Sequence, residues 1–261
     1  MRALGLSCHP APTITVTVVA ALLGVGLLLS AGELVLVVVT VLVGQLSIGW
    51  SNDWLDAPLD LVAGRADKPS AQGEVAVTTL RTAALSALVL VVPLSLASGW
   101  RAGAAHLLLV ASGWVYNLRL KATPWSPVPY MVGFSALPVY VALVGDTDIA
   151  WWVPVAGGLL GVAAHFANVA PDVDADLRSG VRGLPQRVGA RASLVISLAV
   201  LAMAGLLAVV HLGSDSALWW LVVVTPPLVG TWLLVRGATR GVFVVVMVAA
   251  VLDVMALVIA V

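Results

Sequence analysis

Charge is scarce in this chain. Asp, Glu, Lys and Arg make up 10% of its 261 residues and hydrophobic residues 61%, where a soluble domain carries about 25% charged residues. With a mean hydropathy of +1.08, no water-soluble fold of this length could hide so much apolar surface. Cysteine is nearly missing too: the single Cys8 excludes an intramolecular disulfide and every multi-cysteine metal site. Neither sign of charge is in excess, because thirteen Lys and Arg balance thirteen Asp and Glu. That balance argues against a nucleic-acid partner and makes any function of charge local. The apolar runs also lack the strict alternation, in segments of about ten residues, that a membrane β-barrel needs.

What the chain does have is long apolar runs, roughly 18 to 21 residues each, enough to cross a hydrocarbon core of about 30 Å. Windows between breakers predict spans near 11–30, 34–51, 77–97, 102–118, 127–145, 150–168, 190–211, 217–235 and 241–260. The expectation is an all-α membrane protein, a single domain over residues 1–261 with about nine transmembrane helices. No small-residue cleavage site follows the first run, which reads as a retained span and not a signal peptide. Short turns follow spans one, three, five and seven, whereas the other connections are longer and basic. Twelve of the thirteen Lys and Arg fall on that longer side and only Arg101 on the other. The excess places that side and the N terminus in the cytoplasm and the C terminus outside a plasma membrane of bacterial type. The ten Trp sit mostly at span ends, where an indole is at home at the headgroup level.

Most acidic residues fall in two places where a span emerges on the basic side. The first reads Asn52-Asp53-Trp54-Leu55-Asp56-Ala57-Pro58-Leu59-Asp60, followed by Gly64-Arg65-Ala66-Asp67-Lys68-Pro69. On a helix, Asn52, Asp56 and Asp60 are spaced i, i+4, i+8 and Asp53 lies three before Asp56, so all four converge on one face. Like charges at that spacing repel unless something cationic sits among them. The second reads Asn168-Val169-Ala170-Pro171-Asp172-Val173-Asp174-Ala175-Asp176, and Asn168, Asp172 and Asp176 repeat the same spacing. One triad closes span two and the other span six, so the chain reads as two related four-span halves with a ninth span appended, arranged about a central cavity. Pro171 is expected to kink its helix and help end the span.

Two facing sets of hard oxygen ligands suit magnesium, which takes one or two carboxylates per ion and completes its shell with water and substrate phosphates. A diphosphate bridged in this way is neutralised where leaving-group charge develops. A solvated acidic cap at two helix ends is the plainer reading, but it requires neither the asparagines nor the duplicated spacing. His165, three residues before Asn168, either lines the chamber, acts as a base, or is a packed core histidine. His106, alone in span four, reads as a packing residue. Cys8-His9 is too short to be claimed as a metal site, and Asp253 in span nine needs a partner that the sequence does not name.

At these motifs the chain resembles the UbiA superfamily of intramembrane prenyltransferases, whose aspartate-rich motifs are written NDxxDxxxD and DxxxD. Asn52 to Asp60 matches the first in full, Asp172 and Asp176 match the second, and the layout of spans agrees over nearly the whole chain. The resemblance implies that Asn52, Asp53, Asp56, Asp60, Asp172 and Asp176 hold magnesium and an isoprenyl diphosphate, with Arg65 and Lys68 meeting diphosphate oxygens. It also implies a Tyr and a basic residue after span four. Here Tyr116 is followed by Arg119 and by Lys121 at a spacing of five where four is frequent, which leaves open which cation reaches the substrate.

The implied chemistry is magnesium-dependent transfer of an isoprenyl group from its diphosphate to a lipophilic acceptor, aromatic or quinone-precursor in type, within the bilayer. Cyclisation of the same allylic cation is the alternative within the superfamily. A cation-coupled transporter would also use a pseudo-repeat and buried carboxylates, but its acids belong near the bilayer midplane and not beside basic loops.

Overall fold

The computed structural model describes residues 2–62, 69, 72–212 and 217–260. Among these residues all regular structure is helical. Nine helices have 17 residues or more: α2 (Pro10–Gly26), α3 (Ala31–Val62), α4 (Val77–Ala97), α5 (Trp100–Leu118), α6 (Pro127–Val144), α7 (Trp152–Val169), α10 (Ala190–Leu212), α11 (Ala217–Val235) and α12 (Thr239–Ala260). Three short helices, α1 (Arg2–Leu6), α8 (Val173–Arg178) and α9 (Leu184–Val188), lie between or before them. Among the described residues, five stretches are long and apolar enough to cross a membrane: Ala31–Leu61, Val77–Ala97, Pro127–Val144, Trp152–Arg178 and Ala190–His211. α5 is not one of them, because Arg101, His106 and Asn117 lie within its length.

Local chemistry accounts for the boundaries. Pro10 and Pro12 open α2, where a missing N–H costs nothing. The tripeptide 31–33, expected as a turn, already belongs to α3. Ser30 and Glu33 form a reciprocal cap there: Glu33 accepts from the Ser30 backbone N–H at 2.8 Å, and the Ser30 hydroxyl oxygen accepts from the Glu33 N–H at 3.4 Å. α3 also runs eleven residues beyond the expected end at 51, carrying the whole first acidic motif on unbroken helix.

Consecutive long helices pack side by side, and α12 returns to pack against α2, so the nine close into a ring. The buried apolar residues form two main clusters. One joins α2 to α6 through residues such as Leu23, Val41, Leu109 and Tyr140. The other joins α7, α10 and α12 through Leu160, Leu198 and Val246. The seam in apolar packing therefore falls between α6 and α7, one helix later than two equal four-helix halves would place it. Across that seam α7 approaches α6 at backbone distance, and a Cβ at Gly161 would meet the Tyr130 carbonyl oxygen at 2.5 Å. Lipid tails are as apolar as leucine, so such close approach and buried polar contacts carry much of the association. Ser197 donates to the Ala163 carbonyl at 2.7 Å, tying α10 to α7. His106, buried as expected, bonds through Nδ1 to the Ser95 hydroxyl at 2.8 Å and tilts against Tyr140.

Candidate active site

The first motif occupies the last three turns of α3. At 100° per residue Asn52, Asp56, Asp60 and Asp53 fall within an arc of about 100°. The face is not uniform: Asp53 is 1% exposed and Asp60 8%, whereas Asn52 and Asp56 are half-buried. Asn52 donates to the Asn117 side-chain oxygen at 3.1 Å, and Asn117 in turn donates to the Ser51 hydroxyl at 2.8 Å and the Ile48 carbonyl at 3.0 Å. The motif's asparagine therefore also ties α3 to α5.

Lys121 donates to Asp56 in a short ion pair. That contact settles which cation after Tyr116 reaches the first motif. Had α5 continued as α-helix, Lys121 would sit roughly 140° around the axis from Tyr116. Instead α5 ends at Leu118, Arg119 leaves helical geometry at φ −142°, and a 3-10 turn over Leu120–Ala122 carries Lys121 onto Asp56. The Arg119 side chain is exposed.

The second motif does not sit on one helix, and the expected i, i+4, i+8 face of Asn168, Asp172 and Asp176 is corrected accordingly. α7 ends at Val169, a 3-10 turn spans Ala170–Asp172, and α8 begins at Val173. Pro171, which has no N–H to continue the ladder, lies in that turn, whereas Pro58 of the first motif is carried within α3. Asn168 and Asp172 are exposed, and Asp176 is half-buried. Asp176 accepts from Gln186 Nε2 at 2.8 Å, and Gln186 is itself buried.

Two loops bring the motifs to the same end of the bundle. A Cβ at Gly183 would meet the Lys121 carbonyl oxygen at 2.5 Å, so the segment before α9 lies against the 3-10 turn that carries Lys121. The Ser126 hydroxyl, at the start of α6, accepts from the Leu184 N–H at 3.1 Å. Asp56 is thus linked through Lys121 and Gly183 to Gln186 and Asp176. Tyr116 lies near the end of α5, just before the turn that carries Lys121.

Behind Tyr116 is an aromatic cluster. Tyr130 meets it edge-on at 5.2 Å between ring centroids, and His165 lies 5.6 Å from Tyr116 and 4.6 Å from Tyr130. His165 is buried and bonds through Nε2 to the Ser126 hydroxyl at 3.0 Å. Of its three readings, this contact supports the packed, hydrogen-bonded histidine. Tyr116 and Tyr130 are half-buried.

The chain matches the model of the UbiA prenyltransferase family over residues 13–241. It belongs to that family. Among curated relatives it is 28% identical over 174 residues to the digeranylgeranylglyceryl phosphate synthase of Pyrococcus abyssi, covering 64% of this chain and 61% of that protein. It is 29% identical over 185 residues to the bacteriochlorophyll synthase 33 kDa chain of Cereibacter sphaeroides, covering 65% and 60%. The matches thus span about three fifths of those relatives' lengths. The fold is shared with a UbiA homologue of Archaeoglobus fulgidus solved with GPP and Mg2+, at a TM-score of 0.76 and 16% identity over 99% of this chain and all of that one. It is shared as well with the apo UbiA homologue of Aeropyrum pernix K1, at 0.73 and 17% over 94% of this chain and 96% of that one. With five stretches apolar enough to cross a bilayer, this UbiA-family chain is a multi-pass membrane protein.

Among the described residues of this UbiA chain, no three His, Cys, Asp or Glu side chains come together as a ready-made metal cluster. The donor set nonetheless fits a hard cation that takes one or two carboxylates: oxygen donors alone, two of them in buried carboxylates, Asp53 and Asp60. Arg65 and Lys68 lie outside the described residues, as does the side chain of Asp253. Two contributors escaped the sequence reading, Asn117 and Gln186, and a third, His9, was weighed only with Cys8 and not beside the first motif, where its Nε2 lies 3.0 Å from Asp53 Oδ1. Asn117 sits beside Tyr116, already singled out, but nothing in the spacing showed which carboxylate or amide Asn117 or Gln186 would meet. Cys8 is buried, which pushes its thiol pKa up, and its Sγ donates to the Gly5 carbonyl at 3.0 Å.

Proposed function

We propose that this protein transfers an isoprenyl group from an allylic diphosphate to a lipophilic acceptor within the membrane, with magnesium as its cofactor. The observation that carries the reading is the link from Asp56 through Lys121 and the Gly183 loop to Asp176. In this reading the nine long helices all span the bilayer around a central chamber in one domain, with the motifs and N terminus on the cytoplasmic side and the C terminus outside.

Asn52, Asp53, Asp56, Asp60, Asp172 and Asp176 would hold the metal. Magnesium, when bound, offsets the charge of the diphosphate and of the leaving group. Lys121 places an ammonium beside the same diphosphate, and Arg65 and Lys68 in the following loop add to it. The allylic C–O bond breaks with its electron pair left on the diphosphate. An acceptor carbon or oxygen then bonds to that allylic carbon and gives up its proton. Tyr116 and Tyr130 present ring faces to the developing cation, and His165 with Ser126 holds those rings in place. Apolar walls receive the isoprenoid tail and keep water from the cation.

The names of the relatives specify two different products, a digeranylgeranylglyceryl phosphate and a bacteriochlorophyll, so the assay needs a panel of acceptors. Purified protein is incubated with geranyl or geranylgeranyl diphosphate and with aromatic acids, quinone precursors, glyceryl phosphate lipids or a bacteriochlorophyll precursor. Products are read by mass. A prenylated acceptor that disappears with EDTA and returns with magnesium is expected. A cyclic hydrocarbon formed without acceptor would identify a cyclase instead, and full turnover in metal-free protein would refute the magnesium reading.

A further inference from the structure

The N-terminal corner of the chain reaches the first acidic motif. His9 caps α2 in the left-handed region, φ 54° and ψ 69°, a conformation that costs any residue with a Cβ. Several contacts hold it there. The Thr13 hydroxyl donates to the Cys8 carbonyl at 2.8 Å, and the Thr13 N–H donates to the His9 carbonyl at 3.1 Å. The Trp50 indole donates to the Leu4 carbonyl at 3.0 Å, fastening the end of α1 to α3. Cys8 lies so close to α3 at Gly49 that a Cβ there would stand 2.2 Å from the Cys8 carbonyl oxygen. Asp53 is four residues after Gly49, one helical turn further along the same face. The clamped corner therefore delivers the His9 ring to Asp53, with Nε2 to Oδ1 at 3.0 Å.

Burial divides the pair. The Asp53 side chain is 2% exposed and the His9 side chain 39%. An ionised carboxylate has no proton to give, so Nε2 carries the hydrogen and donates it. A donor on one oxygen fixes the rotation of a carboxylate, which is how outer-shell groups orient metal-binding carboxylates.

We propose that His9 is a positioning residue for Asp53: its Nε2–H fixes the carboxylate in the orientation from which Asp53 takes its share of the metal-diphosphate group. The assignment rests on the magnesium reading above and adds to it a residue from the N-terminal corner, 44 positions away in sequence. A helix-to-helix lock that serves only stability is the competing explanation, and the choice of variants separates the two. His9→Gly removes the ring while suiting the left-handed backbone, and His9→Gln keeps an N–H donor at about the same reach.

The test is Mn2+ binding in the presence of inorganic diphosphate, followed by electron paramagnetic resonance on purified full-length protein, beside thermal unfolding without metal. His9→Gly is expected to weaken Mn2+ binding about 10- to 100-fold, the usual cost of losing an outer-shell partner, with His9→Gln within about threefold of the unaltered protein. Unfolding temperatures should agree across the three. Unchanged Mn2+ affinity in His9→Gly would overturn the assignment, as would His9→Gln as weak as His9→Gly. Equal destabilisation of both variants would reduce the contact to a structural lock. Absence of Mn2+ binding in the unaltered protein would instead remove the magnesium reading on which the assignment depends.

Discussion

Lys121 shows what a single residue does at this site and why sequence spacing could not assign it. Five residues from Tyr116 points to neither Lys121 nor Arg119 until the helix is known to stop at Leu118, and where it stops depends on the local turn. With Lys121 on Asp56 and Arg119 exposed, the two cations have separate consequences. Lys121→Ala should lower turnover about 100-fold, the scale on which removal of one preorganised charge or donor is felt in a water-poor site. Arg119→Ala should stay within a few-fold. Steady-state kinetics with a saturating acceptor checks this, and equal losses in both variants would move the diphosphate away from Asp56. His9 illustrates a second limit. Its contact crosses 44 positions and depends on a left-handed corner, so no periodicity in the sequence announces it.

At the scale of elements, the legible part was whatever a single regular helix carries. Asn52, Asp53, Asp56 and Asp60 share a face because α3 is unbroken through Val62, and the helical period alone predicts that. Both motifs have the same spacing and a proline inside, but α3 runs on through Pro58, whereas the second motif is divided among a helix end, a 3-10 turn that contains Pro171 and a new short helix. The kink was legible; where it sent Asp172 and Asp176 was not, because Gln186 and the Gly183 loop position Asp176 from outside the motif. The junction of α1, α2 and α3 offers a test at this scale. Gly49→Ala drives a Cβ into the Cys8 carbonyl and should cost about 1 to 3 kcal/mol of stability, the usual penalty of overpacking. Gly32→Ala, with nothing within 4 Å on the same helix, is the control and should be neutral or slightly stabilising. Thermal unfolding in detergent reads both. An unchanged unfolding temperature for Gly49→Ala would mean that the corner is not clamped on α3.

For the whole molecule, composition alone established membrane residence and helical class, because 10% charge and 61% hydrophobic residues leave no soluble alternative. The closure of the ring by α12 against α2, and the apolar seam between α6 and α7, depend on side-chain packing between distant segments that no window of sequence contains. The architecture gives the acidic motifs their meaning: α3 and α7 stand apart in the ring, yet loops at one end link Asp56 to Asp176. The account therefore claims that the two motifs hold one metal-diphosphate group together. The most direct test is calorimetric binding of the unreactive analogue geranyl S-thiolodiphosphate to purified protein, with and without magnesium, for the unaltered chain, Asp56→Asn and Asp176→Asn. The account predicts binding that requires magnesium and weakens about tenfold or more in each variant. Unimpaired binding in either variant, or equal binding without magnesium, would contradict it.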